Sequence, residues 1–296
     1  MRKSVLLIQR PTLGSRLIPS TNTRPLSEIA VAGTPPGVPR RRRQVPHQVV
    51  TLLTSSLILL ALWQAIAVLT QYPVWLLPGP QDVLARFVRA WADGTLVQHT
   101  LPTLLESLGG FGLALLSGST LGYIVAHSRT IERWIAPYIA AAQAIPVIAV
   151  APLIIIWFGY SSDIMRNILV ASIVVFFPIF SSTLTGIRNI PRELREVGQV
   201  EGASLWQRLH YIELPLALPV LFSGFRTSLA YATTGAVVGE FIGSRYGLGA
   251  LINVARGLFD TPLIFVALLC LGAITLIFYS LVIGLERLLL PWHDQI

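Results

Sequence analysis

Charge is scarce in this chain: Lys, Arg, Asp and Glu make up 12% of its 296 residues, where a soluble domain carries about 25%. A single lysine, Lys3, leaves no G-x-x-x-x-G-K-[ST] loop to grip nucleotide phosphates, so any ATP must be hydrolysed by another subunit. The lone cysteine, Cys270, excludes an intrachain disulfide and, set inside an apolar run, offers no thiol chemistry. The histidines His47, His99, His127, His210 and His293 all fall at or outside the ends of the apolar runs. An intramembrane enzyme, which needs a base or a metal cluster inside the spans, is therefore not expected, and neither is a metal site. Alternating ten-residue strands are missing too, which removes a membrane barrel.

What is abundant is apolar surface, at 53% of the residues with a mean hydropathy of +0.67. Crossing a bilayer core of about 30 Å takes roughly 20 residues of helix. Runs of that length can be laid out six times, near Val49 to Gln71, Leu101 to Ala126, Trp134 to Trp157, Ile168 to Ile187, Pro219 to Phe241 and Leu263 to Leu285. Without water to satisfy backbone groups these runs must be helices. The expectation is an all-α, polytopic membrane protein: a disordered basic tail over 1–47 and a transmembrane domain over 48–296, with a polar connector over 188–215.

The net charge of +8 is distributed as a membrane topology signal rather than as a nucleic-acid surface. With the N-terminus placed in the cytoplasm, the inner segments hold Arg2, Lys3, Arg10, Arg16, Arg24, Arg40 to Arg43, Arg129, Arg133, Arg188, Arg192, Arg195, Arg208 and Arg287. The outer segments keep Arg86, Arg89, Arg166, Arg245 and Arg256. Both termini and the 188–215 connector are thus expected to face the cytoplasm. Arg40 to Arg43 read as a topology anchor or a contact with anionic membrane lipid. The Pro-, Ser-, Thr- and Gly-rich stretch before them is expected to be retained, since Val5-Leu6-Leu7-Ile8 is too short for the core of a signal peptide.

The connector carries the most specific pattern: Glu196-Val197-Gly198-x-x-x-Gly202, nine residues, then Ile212-Glu213-Leu214-Pro215. It resembles the EAA loop of ABC importer permeases, E-A-A-x-x-x-G-x(9)-I-x-L-P, with the glycine and the closing I-x-L-P in register and alanines replaced at Val197 and Gly198. The local chemistry suits a docking helix. Pro191 fits a first helical turn, and Glu193 and Glu196 lie where the macrodipole favours acids. Leu205, Trp206 and Leu209 give a second short helix an apolar face, which Leu214-Pro215 is expected to stop.

The resemblance extends from about Leu77 to Trp292, through Leu77-Pro78-Gly79-Pro80, Ile145-Pro146, Ala151-Pro152-Leu153, Phe176-Phe177-Pro178-Ile179-Phe180, Gly239-Glu240-Phe241 and Pro291-Trp292. These phrases are similar to permeases for nitrate, sulfonate, taurine and pyrimidine or riboflavin precursors. The resemblance implies the type I permease fold with six transmembrane helices in the bacterial inner membrane, serving as a transport subunit and not an enzyme. It implies an ATP-binding cassette ATPase that carries ATP and Mg, leaving none in this chain, and a periplasmic or lipid-anchored solute-binding protein. Glu196 would be the acidic residue at the ATPase contact, and Val197, Gly198, Gly202, Ile212, Leu214 and Pro215 would complete the coupling loop.

Candidates for a translocation path follow from the cost of polar groups and broken helices in lipid. They are Glu106, Gln143, Pro146, Pro178 and Glu240, with each proline open to a packing reading and each glutamate to a structural hydrogen bond. Arg226 reads as snorkelling to headgroups. Six spans enclose a path poorly, so two permease copies should pair, as a homodimer or with a different permease. Glu106 and Glu240 without a deep arginine suggest a neutral or weakly basic heterocycle, a vitamin precursor. Nitrate, sulfonate or taurine import by the same mechanism and ion-coupled secondary transport are the alternatives.

Overall fold

The computed structural model describes residues 45–159 and 161–290, and its regular structure there is helical. Residues 1–44 of the expected tail, with Arg40 to Arg43, and the Pro291-Trp292 ending lie outside the described residues. The chain divides into two compact units, Met1–Thr54 and Ser55–Ile296. The first contributes the start of α1 (Val45–Thr70), where Thr54 Oγ1 donates to Val50 O at 2.9 Å. The second contains the rest of α1 and all later helices. There Trp63 stacks on Phe265 with ring centroids 5.3 Å apart and donates Nε1–H to Pro78 O at 3.1 Å.

Three long helices make the frame: α3 (Thr95–His127), α6 (Asp163–Arg188) and α9 (Leu214–Gly243). Lipid tails are as apolar as leucine, so these helices are held by close backbone approach rather than by hydrophobic exclusion. Small residues permit it. A Cβ placed on Gly110 of α3 would come within 2.5 Å of Ala171 Cβ, and one on Gly235 of α9 within 2.7 Å of Ala171 Cα. Both helices thus close on Ala171 of α6, which with Val170, Val175 and Ile179 has no exposed surface. A second core joins α2 (Pro80–Ala92), α10 (Leu248–Gly257) and α11 (Thr261–Leu289) around Val83, Leu248, Leu251, Val266 and Ala267. Neither α2 nor α10 was expected from hydropathy, because each is too short to span and follows a span end.

The six expected runs map onto helices with one clear correction. Trp134 to Trp157 is not one straight span: α4 (Arg129–Ala144) and α5 (Val147–Trp157) meet at a bend of 96°. The cause is Pro146, which biases the preceding residue to extended backbone; Ile145 has φ −82° and ψ 120° and ends α4. Among the described residues four helices are long and apolar enough to cross a membrane, and five if the bent pair counts as one span. The remaining run lies in α9, whose 30 residues give about 45 Å of helix, enough length for a bilayer. Its apolar content is diluted by Pro215, Pro219, Arg226 and Glu240.

Candidate functional site

The connector folds as predicted in kind and differs in detail. Pro191 caps α7 (Arg192–Val200) from one residue outside it, and Glu193 lies in the first turn. Gly202, at φ +71°, ends α7 in the left-handed conformation that other residues adopt at a cost of roughly 1–2 kcal/mol. Its neighbour Ala203 donates N–H to Gly198 O at 3.0 Å, closing the helix end. Ser204 then starts α8 (Leu205–Arg208): its Oγ accepts from Gln207 N at 3.3 Å, and its N–H donates to Gln207 Oε1 at 2.8 Å.

The expected stop at Leu214-Pro215 does not occur. A π-helical turn, Leu209–Glu213, carries the chain from α8 directly into α9, with Leu214 N–H donating to Leu209 O. Pro215 falls in the first turn of α9, where the missing N–H is tolerated, so it starts a helix rather than ending one.

Gly198 is buried where α7 meets this turn. A Cβ on it would lie 2.7 Å from Ile212 Cδ1 and 3.3 Å from Arg208 Cγ. The glycine that departs from the family pattern is therefore what lets α7 sit against Ile212. Glu196 points to solvent, in a surface that includes Val197, Val200 at 85% exposure, Leu205, Trp206 at 71% and Tyr211. Trp206 and His210 stack with ring centroids 6.3 Å apart. These exposed apolar and aromatic side chains surround an acidic residue on one face of the connector.

The loop is fastened to the frame through Glu213, which is 1% exposed. Tyr123 of α3 donates its hydroxyl to Glu213 Oε2 at 2.9 Å, His127 Nε2 lies 3.0 Å from Oε1, and Arg208 approaches to 3.9 Å. Sequence reasoning missed this knot. The only signal was an acid at the variable position of I-x-L-P.

At the α4–α5 break lies an open groove of about 650 Å³, lined by Gln143, Phe177, Pro178, Ser181 and Tyr231 among others, none of them charged. Gln143 and Pro178, expected on a path, line this groove, while Pro146 sits between the lining residues Ile145 and Val147 and creates the bend. Phe177, Ser181 and Tyr231 were not foreseen as lining residues, since aromatic and hydroxyl side chains in a span carry no signal of which face they take.

Glu106 and Glu240 do not line this groove. Each is 1% exposed and packed in the interior. Glu106 Oε1 accepts from Asn167 Nδ2 at 2.9 Å. Glu240 accepts from Thr103 Oγ1 at 2.6 Å and from Gly249 N at 2.5 Å, and Thr103 Oγ1 in turn accepts from Leu248 N at 2.9 Å. The second alternative for these residues, a hydrogen bond to a neighbouring helix, is the one their geometry provides: they bind α3, α6, α9 and α10 together. Arg226 also has a partner, Glu286 of α11 at 3.1 Å, rather than snorkelling free. No group of three or more His, Cys, Asp or Glu residues placed to hold a metal ion occurs among the described residues.

Comparison with known proteins gives a consistent answer. The family model described as binding-protein-dependent transport system inner membrane component matches residues 118–294. The riboflavin transport system permease protein RibX of Chloroflexus aurantiacus is 57% identical over 242 residues, 82% of this chain and 90% of that protein. The formylaminopyrimidine transport permease protein ThiX of Halalkalibacterium halodurans is 31% identical over 239 residues, 81% of this chain and 94% of that one. The taurine transport system permease protein TauC of Escherichia coli is 28% identical over 260 residues, covering 86% and 94%. A solved structure of the MetNI methionine ABC transporter in an inward-facing conformation superposes with a TM-score of 0.54 at 19% identity, over 64% of this chain and 95% of that chain, a likeness of fold.

Proposed function

Since the chain belongs to the family of inner membrane components of binding-protein-dependent transport systems, permeases whose ATPase is a separate subunit, we propose that it imports a neutral, aromatic heterocycle of the riboflavin or pyrimidine-precursor type. The observation that carries the solute class is the groove at the α4–α5 break. It has no charged lining residue, aromatic faces from Phe177 and Tyr231, and neutral hydrogen-bonding groups from Gln143 and Ser181. A ring with polar edges matches that lining, whereas a sulfonate would lose its hydration there without a cation in return. The names of the relatives RibX and ThiX support the same class.

In this reading a binding protein delivers the heterocycle to the outer face and two permease copies enclose the path between their grooves. Two ATPase subunits, holding ATP and Mg, grip the exposed face of α7 and α8. ATP-driven closure of that pair moves the loops, and the Glu213 knot passes the displacement to α3 while the continuous π-helical turn passes it to α9. The arginines at positions 129, 133, 188, 192, 195 and 208 gather beside the loop, which supports a cytoplasmic placement of that end and, with it, of both termini. The test is uptake of labelled riboflavin and of a formylaminopyrimidine by cells carrying the complete transporter, with taurine as competitor. The reading expects uptake of a heterocycle that taurine does not reduce; saturable taurine uptake with no heterocycle transport would refute it.

A further inference from the structure

A second cavity, of about 660 Å³, lies beside α7 and is lined by six arginines, Arg129, Arg133, Arg188, Arg192, Arg195 and Arg208, against the single acidic residue Glu132. That carboxylate is already taken: Arg188 holds it with two bonds of 2.5 and 2.6 Å. Arg129, Arg133 and Arg192 form no ion pair among the described residues. Arg195 donates an Nη–H to Ile187 O and Arg208 lies 3.9 Å from Glu213, and each keeps a buried Nε with no hydrogen-bond acceptor. Buried donors without acceptors cost about 1–3 kcal/mol each, so a groove of this kind calls for an anion that the chain does not supply.

The position narrows the chemistry. Arg129 opens α4, Arg188 closes α6, and the neighbouring His127 closes α3, so the groove sits at the shared end of these three helices, which the proposed orientation places at the cytoplasmic headgroups. Guanidinium forks match phosphate oxygens in pairs, and basic pockets between membrane helices on the cytoplasmic side suit anionic headgroups. We propose that this groove is a binding site for a phosphate group, carried by an anionic phospholipid or present as free phosphate. Arg192 and Arg195 belong to α7, so a phosphate seated there braces the coupling helix against the ends of α4 and α6 and makes its stiffness depend on the anion.

The experiment uses the purified full-length permease in neutral detergent, titrated with short-chain phosphatidylglycerol, phosphatidylcholine or inorganic phosphate while thermal unfolding is followed. Phosphatidylglycerol should raise the unfolding temperature where phosphatidylcholine does not, and R287Q, outside the groove, should respond like the native protein. In R129Q/R133Q/R192Q the half-saturating phosphatidylglycerol concentration should rise by about a hundredfold, the loss of three arginine–headgroup contacts. An equal stabilisation by inorganic phosphate, lost in the same variant, assigns the site to the free anion; a response to the lipid alone assigns it to the headgroup. If the triple variant does not fold, phenylglyoxal labelling of the native protein decides, with Arg129, Arg133 and Arg192 protected by phosphatidylglycerol or phosphate and not by phosphatidylcholine. A phosphatidylglycerol response undiminished in the triple variant overturns the site, as do absent protection by every anion and protection that appears only when the ATPase is added.

Discussion

Tyr123 and Glu213 stand ninety residues apart in sequence and are joined by a hydrogen bond of 2.9 Å. The bond ties the 188–215 connector to α3, one of the three helices of the frame. Together with His127 at 3.0 Å it turns a buried carboxylate into the fastening between the 188–215 connector and α3.

Glu213→Ala should therefore uncouple rather than merely weaken. Removing the carboxylate leaves the Tyr123 hydroxyl without its acceptor, at a cost of about 1–3 kcal/mol. The variant should keep its ATPase partner on affinity purification yet lose most uptake, while Glu213→Gln, which still accepts a hydrogen bond, retains more of both. Equal transport by the native protein and the alanine variant would remove the knot from the coupling path.

At the partner surface, Glu196→Arg reverses the charge of an exposed residue and Gly202→Trp forces a side chain onto a backbone at φ +71°. Both proteins should insert normally, bind the ATPase less tightly in a pull-down and fail to transport. Normal uptake by both would show that this face is not where the ATPase engages.

Gly198 offers a graded test. An alanine Cβ would press on the terminal methyl of Ile212, which can shift, whereas the branched carbons of leucine cannot be placed without moving α7. Gly198→Ala should transport at near-native rates and Gly198→Leu should not, with the loss tracked by faster proteolysis of the loop. Leucine behaving like alanine would mean that α7 does not need its close seat on the π-helical turn.

Much of this architecture could be read from residues alone, because the strongest signals were local. Span positions followed from hydropathy, and the two short helices of the 188–215 connector from one spaced pattern and its proline and glycines; the break at Pro146 did not, because an apolar run continues through a proline unchanged and only the backbone of Ile145 shows that the helix ends there. Long-range pairings were hidden: nothing near Glu106 in sequence announces Asn167, and nothing near Arg226 announces Glu286. For the same reason Glu106 and Glu240 were open to a path role until their burial among four helices was visible. The short helices α2 and α10 escaped because a hydropathy scan finds only segments long enough to span.

The Arg226–Glu286 pair gives a stability prediction. Glu286→Ala leaves a partly buried arginine without its counter-charge, a loss of about 2 kcal/mol that should appear as a lower unfolding temperature in detergent. The double variant R226A/E286A should recover part of that loss, since it removes the stranded charge. A double variant less stable than the additive expectation would argue for roles of the two residues beyond each other.

In the groove, Tyr231→Ala removes one of the aromatic faces while leaving the loop untouched. Heterocycle transport should fall through a higher KM with ATPase association unchanged, and Tyr231→Phe should retain most activity.

The central claim is tested most directly in proteoliposomes that contain the permease and its ATPase, with the binding protein and labelled riboflavin or formylaminopyrimidine on the outer side. The account predicts accumulation that requires internal ATP and vanishes with Glu196→Arg. Accumulation that continues without ATP and follows an imposed proton or sodium gradient would contradict it.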